Sequence, residues 1–350
     1  MKKTIYSIIF LLVLGGMATE VQAGNPDRQG EAGAYELLMI PYARAAGLHA
    51  MTTANVSGVE SIRINPAGLA RINTTELSFS NGIYLTGTGI NMNAFGVARK
   101  VGKNGAFGFS LMALDFGDIP VTTADQPEGT GTTFSPNFFN LGMSYAHTFE
   151  NKVTVGITLR GVSESTADIS AFAFAVDAGV QYVTGEDDNF KFGISLRNVG
   201  GKMKFSGEGL NEVNNVEGGY QITLSQRSAG YELPSMLNIG LSYDFLFGTT
   251  GRLTALGNFT SNSFSQDQLG GGLEFSLKEM FMLRAGYRYE FVSGSPEEFE
   301  RPLYTGLSAG ATVSLPLSKE NKNTKISIDY AYRQTKIFNG THNIGIRFNM

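Results

Sequence analysis

Cysteine and tryptophan are both absent from the 350 residues of this chain. Without cysteine there is no disulfide scaffold, thiolate zinc site, cysteine nucleophile or cysteine-linked lipid anchor. The chain also has little net charge, with 27 basic against 31 acidic side chains, whereas nucleic-acid binding normally requires a basic stripe. Charged residues make up only 17%, while there are 44 glycines and 25 phenylalanines. This composition indicates a glycine-rich and aromatic-rich β protein rather than a disordered chain or a helical soluble enzyme.

The first residues have the pattern of a secretory signal peptide. Met1-Lys2-Lys3 is basic, residues 5–13 are apolar, and Val21-Gln22-Ala23 has the small-x-small form of a cleavage site. We therefore expect residues 1–23 to be removed and the mature chain to begin at Gly24. The alternative is an N-terminal transmembrane helix. No later stretch approaches the roughly 18 consecutive apolar residues that a membrane-spanning helix needs.

From about Thr75 onwards, apolar and polar residues alternate with a period of two, as in β-strands with one apolar face. Turn signals divide this part of the chain into fourteen predicted strands. Most are longer than the roughly 5–6 residues of a soluble strand and long enough for a tilted membrane crossing. The predicted strands are 75–85, 90–101, 105–116, 137–149, 152–165, 170–183, 189–200, 235–248, 251–262, 268–277, 280–292, 303–316, 323–335 and 340–350.

The connections between these strands alternate between short and long. Links from even to odd strands are mostly short, such as 102–104 and 150–151, whereas odd-to-even links include the two longest, 117–136 and 201–234. Outer-membrane barrels have short periplasmic turns, longer external loops and an even strand count. Residues 75–350 are therefore predicted to form an all-β fold, a 14-stranded antiparallel transmembrane β-barrel, in the outer membrane of a Gram-negative bacterium. The alternative is a soluble all-β protein.

Residues 24–74 lack the alternation but contain apolar runs such as 37–40. Fourteen strands enclose a lumen too wide for their own side chains to fill. We therefore expect residues 24–74 to lie inside the lumen as a hatch. The alternative, a disordered periplasmic tail, is disfavoured because apolar runs of this kind need burial.

The alternation also predicts which side chains face the lumen. Inward glycines would let a plug approach the wall closely, and these are predicted at Gly108, Gly142, Gly156, Gly193, Gly240, Gly272, Gly286 and Gly345. The inward charges are nearly balanced, and all of the basic ones are arginines. They are Arg160, Asp177, Arg197, Asp244, Glu274, Arg284, Arg288, Glu290, Asp329, Arg333 and Arg347. Our hypothesis is a structural network that grips the plug, rather than a porin eyelet with separated charges.

No catalytic or metal-binding pattern is evident. The three histidines are scattered through the sequence, no nucleophile–base set is convincing, and no glycine-rich stretch has the context of a phosphate loop. We therefore expect no enzyme activity and no cofactor. The longest external loop, 201–234, is a candidate partner-docking or gating loop through Met203, Phe205, Leu210 and Tyr220. The alternative is a solvated loop with a β-hairpin.

The last strand carries Asn343, Gly345, Phe348 and Met350 in the pattern polar-x-Gly-x-x-aromatic-x-hydrophobic. This ending resembles the signal read by the barrel-assembly machinery, which we therefore expect to be a partner together with outer-membrane lipid. Met350 stands where a terminal phenylalanine is more usual.

Two motifs before the first strand carry a family resemblance. Residues 42–48, which include Arg44 and Gly47, precede an Asn-Pro-Ala-Gly-Leu motif, and together they resemble the PorV/PorQ family within the FadL-like outer-membrane barrels. The second motif consists of Asn65, Pro66, Ala67, Gly68 and Leu69. Asn65 is suited to cap a short helical turn that has Pro66 at its first position, and Gly68 to permit close packing.

The resemblance implies two possible functions. PorV-like proteins are shuttles of type IX secretion, which bind exported cargo carrying a C-terminal β-domain together with translocon subunits. FadL-like proteins pass hydrophobic small molecules through a hatch. The inward face of the predicted strands is rich in Gly, Ser, Thr and Arg, which disfavours an apolar pocket and so favours the secretion role. A barrel paralogue without cargo is a third possibility.

Overall fold

The computed structural model describes residues 28–216, 220–291, 303–317 and 324–350. The predicted signal peptide, the first residues of the predicted hatch and most of the loop between the strands predicted at 280–292 and 303–316 lie outside these ranges. Within the described residues, no helix has the length and apolar character required to cross a membrane.

Fourteen long antiparallel strands close into one barrel, as the alternation predicts. Two short hairpins, β4–β5 and β10–β11, lie in the two longest loops and take no part in the barrel. The barrel strands are β1 (Thr75–Ile83), β2 (Asn91–Val101), β3 (Gly105–Asp115), β6 (Asn137–Thr148), β7 (Val153–Thr166), β8 (Ile169–Thr184), β9 (Phe190–Gly200), β12 (Met236–Phe247), β13 (Gly251–Asn262), β14 (Gln268–Leu277), β15 (Phe281–Glu290), β16 (Tyr304–Pro316), β17 (Lys325–Thr335) and β18 (Thr341–Asn349). The hairpin strands are β4 (Ile119–Pro120), β5 (Thr133–Phe134), β10 (Asn211–Val216) and β11 (Tyr220–Ser225).

Each barrel strand pairs with its neighbour in the chain, and β1 pairs with β18 to close the wall. The pairing of β3 with β6 and of β9 with β12 leaves the two hairpins outside, at the same end of the barrel. The chain termini of the barrel lie at the opposite end, since Thr75 and Met350 hydrogen-bond to each other. The loop lengths therefore divide between the two ends as the sequence predicts.

The exposed side chains of the strands are mostly apolar and the buried ones mostly polar, which is the reverse of a water-soluble protein. In β8, Phe172 and Phe174 are 56% and 61% exposed on the outer face, whereas Asp177 and Gln181 point inward and are fully buried. An apolar outer face and a polar interior are the pattern of a wall surrounded by lipid. The strands are therefore stabilised as a transmembrane barrel.

Residues 28–72, called here the N-terminal segment, contain only short helical turns. These are a 3-10 turn at Tyr35–Leu38, α1 (Ala43–Ala46), α2 (Ser61–Ile64) and a second 3-10 turn at Pro66–Arg71. Most of the segment is buried, and its turns contact inward-facing residues of strands on both sides of the barrel. Apolar side chains of the segment, including Val59, Ile62 and Leu69, pack with Met92 and Met112 of the wall. Burial of these apolar side chains stabilises the segment inside the barrel, because the inward-facing side of the wall is otherwise mostly polar.

Candidate functional site

Asn65 joins the N-terminal segment to the barrel wall. Its side-chain oxygen accepts a hydrogen bond from the amide of Ala67 at 3.2 Å, which caps the Pro66–Arg71 turn as predicted. Its side-chain nitrogen donates to the main-chain oxygens of Thr53 at 2.9 Å, Val180 at 3.1 Å and Ile194 at 3.3 Å. The last two acceptors belong to β8 and β9, so one side chain both caps the turn and attaches it to two strands.

Glycines make room for this attachment on both sides. A Cβ atom on Gly68 would overlap the main-chain oxygen of Val56 within the segment, and one on Gly179 would overlap the side chain of Asn65. On the wall, Cβ atoms on Gly156 and Gly193 would overlap main-chain atoms of the segment. The main chain of the wall comes into contact with the main chain of the segment here, because these wall positions have no side chain. The close packing predicted at Gly68 is confirmed.

Other inward glycines of the predicted set also lie against the segment. A Cβ atom on Gly108, Gly142, Gly240, Gly272, Gly286 or Gly345 would contact segment atoms. Further positions of the same kind, Gly96, Gly179, Gly270 and Gly310, were not in the predicted set. Each of these four glycines occupies an inward-facing position in its strand, so the period-two alternation of the sequence could have identified it.

The first of the two N-terminal motifs, residues 42–48, lies at the other side of the barrel. Gly47 ends α1 against β16, where its main-chain oxygen accepts a hydrogen bond from the Ser308 hydroxyl at 3.1 Å. Arg44 is half-buried and, with Arg347, favours the ionised form of Glu60 in the segment. Burial is the larger effect, and it raises the pKa of Glu60 to about 7.

The predicted charge network separates into pairs and unpaired arginines. Arg160 pairs with Asp177, Arg284 with Glu274 at 3.0 Å, and Arg347 with Asp329 at 2.7 Å. A wider cluster extends the Arg284–Glu274 pair near the end of the barrel where its termini lie. Lys191 and Arg252, two inward residues absent from the predicted set, contact the carboxylate of Asp244 there, and Arg252 also contacts Glu274.

Three predicted members of the network have no carboxylate partner among the described residues. Arg197 donates instead to the main-chain oxygen of Leu37 in the segment at 3.2 Å, and Arg333 lies 4.8 Å over the Tyr304 ring. Arg288 lines an interior cavity, while Glu290 accepts a hydrogen bond from Gln268 at 3.2 Å. The expected ladder of paired charges is therefore incomplete, because Arg197 binds the segment, Arg333 lies on an aromatic ring and Arg288 lines the cavity.

The interior cavity lies between the N-terminal segment and the wall and encloses about 40 Å³. Its segment side is largely apolar, with Leu38, Met39, Ile40, Met51 and Ile64, although His49 and Arg63 also line it. Its wall side is polar and cationic, with Arg197, Asn238, Asn258, Thr260, Gln268 and Arg288. A volume of this size holds a few water molecules, so a larger ligand requires the segment to move. The sequence argument against an apolar pocket considered only the wall, whereas the segment supplies the apolar half.

The four residues proposed to meet a partner in the 201–234 loop differ in exposure. Met203 is fully buried, so the prediction that it faces a partner is wrong. Its main chain pairs with Tyr231, and its side chain packs with Leu37 and Leu233. Phe205 packs beside Tyr231 and Leu210 is half-buried, whereas Tyr220 is 73% exposed in the β10–β11 hairpin. A hairpin within this loop was the alternative interpretation of the sequence.

The C-terminal pattern is divided between the two faces of β18. Asn343 and Gly345 face inward, and the Asn343 amide donates to the main-chain oxygen of Pro41 at 2.9 Å. Phe348 and Met350 occupy the outward positions. The role of this pattern in barrel assembly stays a prediction. Across the described ranges, no group of three or more histidine or acidic side chains is arranged to bind a metal ion.

No protein-family model and no curated protein matches the chain. Solved outer-membrane structures share its fold. The Pseudomonas putida toluene transporter TodX has a TM-score of 0.57 at 11% identity, over 88% of this chain and 98% of that chain. The Ralstonia pickettii toluene transporter TbuX has a TM-score of 0.53 at 14% identity, over 89% and 97%.

A Pseudomonas aeruginosa FadL homologue has a TM-score of 0.53 at 13% identity, over 88% of this chain and 96% of that chain. The barrel is therefore similar to FadL-like outer-membrane barrels in strand number and closure. At these identities the likeness concerns the fold alone.

Proposed function

We propose that this chain is an outer-membrane barrel that passes small hydrophobic molecules, and that the N-terminal segment is its hatch. The observation that carries the proposal is the interior cavity, because its apolar lining comes mostly from the segment and its polar lining mostly from the wall. Movement of the segment would enlarge the cavity and keep the apolar surface beside it. Small-molecule sites of this kind combine an apolar lining with a few polar groups.

The similar solved structures support the same proposal, since two of them are described as toluene transporters. The outer wall offers a route of apolar character as well. A groove of about 500 Å³ on the lipid-facing side of β2, β3, β6 and β7 is lined by Val97, Phe107, Phe109, Met143 and Leu159. A hydrophobic molecule dissolved in the bilayer would have direct access to such a groove. Directly behind it, Gly108 lies against Ile62 and Leu69 of the segment.

The test is entry into intact cells whose outer membrane carries or lacks the protein, because a plain phospholipid bilayer is already permeable to toluene. Toluene is the hydrophobic probe and a sugar the hydrophilic one. We expect toluene to enter cells with the protein faster than cells without it, and sugar entry to be the same in both. Asn258→Phe, which fills the cavity from the wall, should lower toluene entry, while Leu269→Phe on the outer face of the barrel should not. An equal increase in sugar entry, or equal toluene entry with the two variants, would contradict the proposal.

Protein secretion is a second candidate function, and one observation favours it. The β10–β11 hairpin stands away from the barrel, and Tyr220, Ile222 and Leu224 on one of its faces are 73%, 41% and 49% exposed. An apolar face in an external loop suits a docking site for secreted proteins with a C-terminal β-domain or for translocon subunits. Deletion of residues 211–225 should then reduce the secreted proteome and leave toluene uptake unchanged; an intact secreted proteome excludes this role for the hairpin.

A further inference from the structure

Three separate parts of the chain meet at the external end of the barrel. Main-chain pairing of Ala32 with Glu232 joins the N-terminal segment to the 201–234 loop, and pairing of Met203 with Tyr231 joins the two ends of that loop to each other. A Cβ atom on Gly33 would overlap the Tyr231 ring, so the contact is close. Below it, Ala34 and Leu37 of the segment pack with Met203, Leu233 and wall residues of β7 and β8. The loop therefore holds the segment against the wall.

Two carboxyl groups lie within interaction distance of each other inside this junction. Glu36 of the segment is 2% exposed and Glu164 of β7 is 5% exposed. The Tyr231 hydroxyl of the loop donates to Glu164, and the Asn140 amide of β6 donates to Glu36 at 3.3 Å. The second carboxyl oxygen of Glu36 is buried without a hydrogen-bond partner. Each of the three parts thus contributes one group, and among the residues that the structure describes no cation forms an ion pair with either carboxyl.

The surrounding charges leave the carboxyl pair uncompensated. Arg63 donates to the main-chain oxygen of Glu36 at 3.0 Å, and Arg197 to that of Leu37, so both guanidinium groups are directed at carbonyls. Arg160 pairs with Asp177. On the loop side, Arg28 pairs with Glu31 and Glu232 at the exposed surface.

We propose that Glu36, Glu164 and Tyr231 form a proton-dependent latch between the segment, the wall and the external loop. While Glu36 carries a proton, the pair has at most one negative charge, and the carboxyl groups can share a hydrogen bond. When that proton is lost, two buried like charges repel, and the segment separates from the loop. The release is a consequence of burial without a counter-ion.

The pKa values of Glu36 and Tyr231, which both lie outside the strands, are shifted in the direction that the latch requires. Burial raises the pKa of Glu36 to about 8, and the nearby Glu164 adds to the effect. Burial and the hydrogen bond to Glu164 raise the pKa of Tyr231 above its ordinary value, so the phenol remains a donor while Glu36 ionises. The latch is therefore closed in acid and opens as the pH rises past about 8.

Spin labels can measure the position of the segment directly, because the chain has no cysteine of its own. Tyr35→Cys lies in the segment and Ile337→Cys in the β17–β18 turn, and both positions are exposed. We expect one narrow label-to-label distance at pH 6 and a second, longer one in most molecules at pH 9.5. Glu36→Gln should abolish the second distance, whereas Glu31→Gln, an exposed carboxyl of the same segment, should behave as the parent protein.

Glu164→Gln provides a second arm if Glu36→Gln fails to fold. It removes the repelling partner and should reduce the released fraction at pH 9.5. Equal distance distributions at pH 6 and pH 9.5 in the parent, or a pH response retained in both glutamine variants, would overturn the latch. The readout does not require transport, so it is independent of the proposed passage of hydrophobic molecules.

Discussion

The side-chain amide of Asn65 donates a hydrogen bond to the main-chain oxygen of Val180, 115 residues further along the chain, at 3.1 Å. This contact connects the turn at Pro66–Arg71 to β8, and the parallel contact with Ile194 connects the same turn to β9. A residue whose local role is to cap a turn therefore also attaches the segment to two strands of the wall.

Asn65→Ala should loosen the segment while the barrel remains folded. The substitution removes the cap, worth about 1 kcal/mol, and the side-chain hydrogen bonds to the main-chain oxygens of Val180 and Ile194, each worth about 0.5–1.5 kcal/mol. Hydrogen exchange of residues 40–72 measures the effect, and we expect faster exchange there and unchanged exchange in β7–β9. Asn73→Ala, at an exposed asparagine just before β1, is the matched control. Unchanged exchange in Asn65→Ala would show that the segment is held mainly by its apolar cluster.

Gly193→Ala should displace the segment from β9. The added Cβ atom would overlap the main-chain oxygen of Thr53, which cannot rotate away as a side chain would. We expect a cost of about 1–3 kcal/mol, as for other overpacked positions. Gly257→Ala is the control, because its Cβ atom would meet only the Gly270 oxygen at 3.9 Å. Protease sensitivity of the segment in folded protein should rise in the first variant only; equal sensitivity in the two would refute close packing at Gly193.

Asp329→Asn should destabilise the barrel more than it alters its permeability. Arg347 contacts Asp329 at 2.7 Å with both side chains buried, and loss of one partner leaves a charge without compensation. Such losses cost about 3–5 kcal/mol, measured as the free energy of unfolding in detergent. Lys152→Met, which removes the exposed pair with Asp188, should change stability by less than about 1 kcal/mol. If Asp329→Asn altered solute uptake at unchanged stability, the structural interpretation of the charge network would be wrong.

Glu60 should make the docking of the segment weaker as the pH rises. Burial raises its pKa from 4.5 to about 7, although Arg347 and Arg44 act in the opposite direction. The pKa of Glu60 is higher in the folded protein than in the unfolded chain. The free energy of unfolding is therefore unaffected by this group below about pH 4.5 and decreases between about pH 4.5 and pH 7.

Glu60→Gln carries no such titration and should flatten the decline. The free energies of unfolding of parent and variant, compared at pH 5 and pH 8, should differ in their pH dependence by up to about 3 kcal/mol. Glu186→Gln, in an exposed turn, should keep the parental profile. Identical profiles for Glu60→Gln and the parent would show that Glu60 remains ionised in the folded protein.

The sequence by itself determined the barrel. The period-two alternation is a local property of each strand, and it identified all fourteen strands, mostly to within one or two residues at each end. The same alternation identified the inward position of residues such as Arg160 and Asp177. The Asn65 cap was also readable, since it depends only on neighbours two residues apart.

Only the tertiary structure decided what the inward residues meet. The segment has no repeating pattern, so the sequence does not specify how it is rotated inside the wall or which carbonyls Asn65 and Arg197 reach. Met203 appeared to belong to an external loop, yet the loop folds back and buries it against the segment. The cavity likewise needs two surfaces distant in sequence, an apolar one from the segment and a polar one from the wall. Long-range packing, which local periodicity does not encode, brought these groups together.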